Sequence, residues 1–129
     1  ATSRGVDAAK GTADSLPFSN DLFDFVVFGF CLYLCDREDL FKIAHEADRV
    51  LKKTGWLIIH DFFSKTSIYK SYHHLEGIRS YKMDYRKLWD WHPSYECYSH
   101  TISCHGTSSL CDDPDEWVAT SVLRKLKNS

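Results

Sequence analysis

An α/β domain built on a partly parallel sheet is the fold class the sequence predicts, and three observations point to it. Two short apolar runs without alternation, residues 25–28 and 56–59, suit strands covered on both faces. Between them Leu40, Ile43, Ala44, Ala47, Val50 and Leu51 recur at three- and four-residue spacing, which is one apolar stripe of an amphipathic helix. Strand, helix and strand over roughly 35 residues with short connections make a right-handed crossover unit of a parallel sheet. The third observation lies further on. Residues 95–104 and 117–123 both read as strands with no helix between them, so they are expected to pair as an antiparallel hairpin.

The elements can be justified in order. Residues 3–8, with Val6 and Ala8 alternating, allow a weak edge strand, and residues 15–21 hold Pro17, Ser19, Asn20 and Asp21 and read as a loop. Asp36 is placed to cap the helix, with Glu38 and Asp39 favourable at its positive end. Lys52 and Lys53 suit the negative end, and Gly55 is expected to supply a left-handed turn there. Residues 64–83 are polar and aromatic without a clean period, and residues 85–91 suggest a short helix stopped before Pro93. In the strand at 95–104 simple alternation puts Tyr98, His100, Ile102 and Cys104 on one face.

Composition narrows the function classes. A chain of 129 residues is the size of one domain, and 43% hydrophobic with 15% aromatic residues argues for a packed core rather than disorder. Sixteen Lys plus Arg against 18 Asp plus Glu leave a net charge of −2, which gives no electrostatic footprint for nucleic acid or an anionic membrane. No apolar run reaches the length of a membrane span, and residues 1–10 lack the apolar stretch of a secretion signal. Five Cys without CxxC spacing suggest free thiols in a reducing compartment, so a cytoplasmic location is expected. Cys97, His100, Cys104, His105 and Cys111 fall close together, but their spacings are poor for structural zinc and neighbours on a strand point apart, so no metal is expected.

The run Gly11-Thr12-Ala13-Asp14-Ser15-Leu16-Pro17-Phe18, then Phe23-Asp24, resembles the class I S-adenosylmethionine-dependent methyltransferases, and within them the type 11 subgroup. The likeness continues through Glu46-Ala47-Asp48-Arg49-Val50-Leu51-Lys52 and Gly55 to Asp61, and returns at Glu116-Trp117-Val118-Ala119 and Val122-Leu123-Arg124-Lys125. It implies a Rossmann-like sheet of order 3-2-1-4-5-7-6 whose seventh strand is antiparallel. The crossover unit then corresponds to the family's strands four and five, the hairpin to six and seven, and the segment near Val6 to strand three. Strands one and two, with the glycine-rich turn and the acidic residue that hold the methionine and ribose of the cofactor, are expected to be absent. The chain reads as a truncated domain, the carboxyl-terminal portion of such a fold in a single unit over 1–129, with 64–94 as a substrate-side insertion.

The resemblance also implies sites. The cofactor would be S-adenosyl-L-methionine, with the adenine met by the backbone of Ala13 and the side chain of Thr12, where the family usually has an acid. Asp14 follows them, and Phe28, Gly29 and Phe30 end a strand that borders the pocket. Methyl transfer to a small molecule needs an acceptor aligned on the sulfonium and in some cases a base. Such chemistry sits beyond the carboxyl ends of parallel strands, where Tyr33, His60 and Asp61 fall. Tyr72, His73, His74, Arg79 and Tyr81 are the residues the insertion offers for selecting the acceptor. Without the glycine-rich turn the chain alone is not expected to transfer methyl groups. A second reading stays open: a non-catalytic module that dimerises or completes another polypeptide through the uncovered, apolar edge at residues 25–30.

Overall fold

The computed structural model describes residues 9–65, 68–71, 79–105 and 112–127. In chain order these form β1 (Phe23–Gly29), α1 (Leu40–Val50), β2 (Leu51–Phe62), β3 (Ile68–Ser71), β4 (Arg79–Lys82), β5 (Tyr95–Cys104) and β6 (Trp117–Lys125), joined in places by short 3-10 turns. Four strands make one sheet in the order β1-β2-β6-β5. β1 runs parallel to β2, and β6 lies antiparallel between β2 and β5. This is the crossover unit and hairpin expected from the sequence, with the last strand inserted beside β2. The edge strand expected near residues 3–8 lies outside the described residues.

Alternation along the strands sorts the two faces. Leu57 and Ile59 of β2 sit opposite Val26 and Phe28 of β1 and opposite Leu123 and Ser121 of β6. That face is buried beneath Leu40, Ile43 and Ala47 of α1, which form the core together with Leu32, Tyr85, Trp89 and Tyr95. Successive side chains of a strand point to opposite faces, so Phe25 and Val27 of β1 look the other way. They are 61% and 62% exposed. β1 is therefore not covered on both faces by the described residues, contrary to what its unbroken apolar run suggests.

The passage from α1 into β2 also departs from expectation. Leu51 is already the first residue of β2, and its N–H closes the helix onto the Ala47 carbonyl. Lys52 and Lys53 consequently lie in β2 rather than in the last helical turn. The left-handed backbone belongs to Thr54, at φ 69°, and not to Gly55. The register slips here: Leu51 faces Phe23, but Trp56 faces Phe25, so the intervening residues bulge out opposite Asp24. Gly55 is needed for a different reason. A Cβ there would stand 2.6 Å from Leu51 Cδ1, 2.8 Å from the Lys52 carbonyl and 3.0 Å from the Asp24 carbonyl.

Three smaller expectations are corrected. Neither Asp36 nor Asp39 makes a side-chain cap; the chain instead turns through a 3-10 segment, Arg37–Asp39, into α1. Residues 85–91 form only a 3-10 turn, Tyr85–Leu88, followed by irregular turns. In β5 a bulge between Cys97 and Ser99 inverts the alternation. Tyr98 packs its ring on Trp56 on one face, whereas His100 bonds Ser121 on the other. The stretch without a sequence period contains a two-stranded antiparallel hairpin, β3 with β4.

Gly55→Ala is expected to cost about 1–3 kcal/mol of stability, because two of the three atoms it meets are backbone oxygens that cannot rotate away. Urea denaturation of the wild-type and variant chains, compared at equal slope, measures it; equal midpoints would contradict this account of the bulge.

Candidate functional site

The carboxyl ends of the two parallel strands gather most of the candidate residues. Asp61 is only 2% exposed and faces the core side. Its Oδ2 accepts from the N–H groups of Leu32 (2.8 Å) and Cys31 (3.2 Å), and its Oδ1 from the N–H of Phe62 (2.8 Å). One carboxylate thus satisfies successive donors of the loop that leaves β1, the peptide groups that would otherwise be orphaned by burial. Burial pushes the carboxyl up to about 6, while the N–H groups of Phe62, Leu32, Cys31 and Tyr33 pull the other way.

His60 points to the opposite face, as its position next to Asp61 requires. It sits beside Gly29 across the parallel pair and beside Thr120 across the antiparallel one. Its Nδ1 is 2.7 Å from Thr120 Oγ1, and the Phe30 ring stands edge-on to the imidazole at 4.8 Å. Phe30 reaches that position because its backbone turns left-handed, φ 48°, directly after β1, with its N–H bonded to the His60 carbonyl at 2.8 Å. Tyr33 is buried and packs its ring on Phe62 at 4.8 Å. Of the three candidate catalytic groups, only His60 therefore combines a titratable atom with partial exposure; Asp61 and Tyr33 are enclosed.

Gly29 and Phe30 border this end, but Phe28 does not. It is part of the core and packs on Trp89 at 5.6 Å, the opposite side from Gly29. A Cβ at Gly29 would meet nothing within 4 Å, so the space above that backbone is open. The Thr12–Asp14 turn is built separately. Ser15 N–H closes it on the Thr12 carbonyl at 3.0 Å, and Ala13 packs against the core. Asp14 turns toward α1, beside Lys42 and Glu46. Among the described residues no hydrogen bond or ring contact joins this turn to Gly29 or Phe30.

Two anchors were not evident as such in the sequence. Arg49 donates to the carbonyls of Phe18 (2.7 Å) and Leu16 (3.0 Å) and to Asn20 Oδ1 (2.9 Å), while Glu46 accepts the Leu16 N–H at 2.9 Å. The two side chains pair at 2.7 Å, and the Arg49 hydrogen bonds hold the Glu46 carboxyl down at about 2. Their i, i+3 spacing on one helix face was the available signal. Arg37 is the second. Its guanidinium donates to the carbonyls of Leu32 and Cys35 and to Tyr85 Oη, and lies 4.0 Å over the Tyr81 ring. It ties the loop after β1 to the hairpin strand β4.

Of the acceptor-selecting candidates, only Tyr81 is described in its contacts. Tyr72, His73 and His74 lie outside the described residues, and Arg79 is placed by its backbone as the partner of Ser71. The residues weighed for zinc are dispersed: His100 bonds Ser121 Oγ at 2.7 Å, His105 packs on Phe30 and Phe62, and Cys111 lies outside the described residues. Among the described residues no group of three or more His, Cys, Asp or Glu is placed to hold a metal ion. No helix there is long and apolar enough to cross a membrane.

The folded state holds the Asp61 proton to higher pH than an unfolded chain with an ordinary carboxyl near 3.8. Raising the pH from about 4 to about 7 should therefore remove stability, roughly 2–3 kcal/mol from this group. Asp61→Asn keeps an acceptor for the loop but cannot ionise. Denaturation at both pH values should show that loss in the wild type and not in the variant; parallel pH profiles would contradict it.

Comparisons with known proteins show a likeness of fold. The family model described as a methyltransferase domain matches residues 1–59. A comparison with curated protein sequences gives no match. Among solved structures, a SAM-dependent methyltransferase from Methanosarcina mazei is 17% identical with a TM-score of 0.68, covering 90% of this chain and 65% of its own. The 1,6-didemethyltoxoflavin-N1-methyltransferase of Burkholderia thailandensis, solved with bound 1,6-didemethyltoxoflavin and S-adenosylhomocysteine, is 13% identical with a TM-score of 0.69, covering 89% of this chain and 48% of its own. The cyclase SpnF is 18% identical with a TM-score of 0.64, covering 97% and 59%. The chain thus spans between 48% and 65% of the length of these structures.

Proposed function

The chain has the fold of the class I S-adenosylmethionine-dependent methyltransferases, with the methyltransferase-domain match over residues 1–59, and on that premise we propose that it forms the adenine and acceptor side of a methyltransferase acting on a small molecule. The observation that carries the reading is the end of the parallel pair. There the open backbone at Gly29, the turned ring of Phe30 and the Thr120-held imidazole of His60 adjoin one another. Parallel α/β sheets bind their ligands beyond this end of the strands.

The residues present fit S-adenosyl-L-methionine on its adenine side. The Ala13 N–H has no hydrogen-bond partner among the described residues, Gly29 leaves room for close approach, and Phe30 offers an apolar edge. When bound, the cofactor supplies an electrophilic methyl group. The chain's own contribution is to orient and to manage a proton. In the tautomer whose Nδ1–H donates to Thr120 Oγ1, His60 has Nε2 free to accept a proton from the methyl acceptor. Asp61 acts as a positioning residue: it fixes the loop from which Phe30 and Tyr33 project. The segment 64–94, joined to that loop through Tyr81 and Arg37, selects the acceptor.

A second reading is favoured by the exposed Phe25 and Val27 on β1, the outermost strand of the described sheet. An apolar edge of that kind suits pairing with another chain, either a second copy or a complementing polypeptide. A cytoplasmic location is consistent with free cysteines at positions 31, 35, 97 and 104.

Calorimetric titration with S-adenosylhomocysteine separates the two readings. No glycine-rich turn for methionine occurs in the 129 residues. The chain should therefore bind with a Kd of roughly 0.1–1 mM, weaker than the micromolar affinity of about −8 kcal/mol expected of a whole pocket. Absence of heat at millimolar ligand, together with sedimentation as a dimer, would overturn the enzyme reading in favour of the interaction module.

A further inference from the structure

A second recess lies at the other end of the strands, between the outer face of α1 and the turns after β4. Its floor is near Tyr95, which pairs with Lys125, whose Nζ reaches the Leu51 carbonyl at the start of β2. The cavity measures about 320 Å³, within the usual range for small-molecule sites. Its walls are aromatic. Trp89 and Tyr95 are buried, whereas Phe41 and Trp91 stand 82% and 71% exposed at its rim.

The polar groups of these rings are already used internally. Trp89 Nε1 donates to the Ala44 carbonyl and Trp91 Nε1 to the Leu88 carbonyl, both at 3.2 Å. Tyr95 Oη donates to Asp48 Oδ1 at 2.6 Å. The rings therefore offer the recess apolar surface, which favours a flat, apolar occupant. A solvent-exposed pair of large aromatic side chains flanking a cavity is also unusual for a surface with no partner.

Charge decides what that occupant carries. Asp48 is neutralised in place by Lys125, whose Nζ is 3.2 Å from Asp48 Oδ1 and 2.8 Å from the Asp48 carbonyl. Lys87, by contrast, lines the recess: its backbone N–H donates to the Asp84 carbonyl, but its ammonium makes no hydrogen bond or ion pair among the described residues. His92 adds a donor: its Nδ1 accepts the Ser94 N–H at 3.0 Å, so the neutral ring carries its proton on Nε2. His45 completes the rim. The surplus is one cation with an imidazole N–H beside aromatic walls.

We propose that this recess is a ligand site, separate from the strand-end site, for a planar aromatic monoanion such as an aromatic carboxylate. Aromatic walls take the ring, and Lys87 with His92 meets the carboxylate. Nothing in this assignment depends on methyl transfer, so it stands or falls independently of the reading above.

The test uses two probes with one ring and opposite charge, 2-naphthoate and 2-naphthylmethylamine, titrated calorimetrically into the full chain. The naphthoate should bind with a submillimolar Kd and the amine about fivefold or more weakly, the ratio expected of one partly exposed ion pair. Lys87→Ala should erase the preference, Lys87→Glu should reverse it, and Trp91→Ala should weaken both probes. Both positions are at the surface, and far-UV circular dichroism checks that the variants fold. Equal or tighter binding of the amine to the wild type would overturn the proposal. So would the absence of binding by either probe, or isotherms that Lys87→Glu and Trp91→Ala leave unchanged.

Discussion

One buried carboxylate organises the end of the molecule on which the functional reading rests. Asp61 closes β2 and accepts the N–H groups of Cys31, Leu32 and Phe62, so the chain leaving β1 is bound to the chain leaving β2. A charge in that position is costly to bury, which is why its proton is held up to about 6. Removing the acceptor would leave several buried donors without partners, a larger penalty than the net worth of any one hydrogen bond. Leu32, Tyr33 and Phe30 take their places in relation to this knot, and Arg37 extends it to β4 through Tyr81 and Tyr85.

The sheet beneath supplies the geometry. Because β6 runs antiparallel beside β2, His60 meets Thr120 and Asp61 meets Ala119 across the strand pair. Alternation then sends the two neighbours to opposite faces, the acid into the core and the imidazole toward Gly29 and Phe30. The loop before β1 is held from the other side, by Glu46 and Arg49 of α1. Two independent clamps, one on each side of β1, thus present the short segments that border the strand ends. Neither clamp is part of the reacting surface; each leaves backbone positioned and side chains spent.

Much of this was legible because it follows from periodicity. The stripe through Leu40, Ile43, Ala47 and Val50 can only be a helix face, and two apolar runs around it can only be its neighbouring strands. Strand parity also separates His60 from Asp61 before any coordinate is known. Local breaks in periodicity were not legible. The bulge at Gly55 shifts its register by three residues, and the one between Cys97 and Ser99 shifts its own by one, which inverts the face assignment across it. Phe28 belonged to the core rather than to the pocket because it shares a face with Ile59 and meets Trp89, a contact across 61 residues of sequence. The Arg37 hub was hidden for the same reason: its partners at Met83 and Tyr85 are brought to it by the fold alone.

The central claim is that the adenine side of a methyltransferase pocket is built on the Thr12–Asp14 turn and on Gly29 and Phe30. Backbone amide shifts followed by two-dimensional NMR during titration with S-adenosylhomocysteine test it most directly. The account predicts shifts concentrated at Thr12, Ala13, Asp14, Gly29 and Phe30, with the buried amides of β6 unmoved. Shifts confined to other surfaces, or none at millimolar ligand, would contradict it.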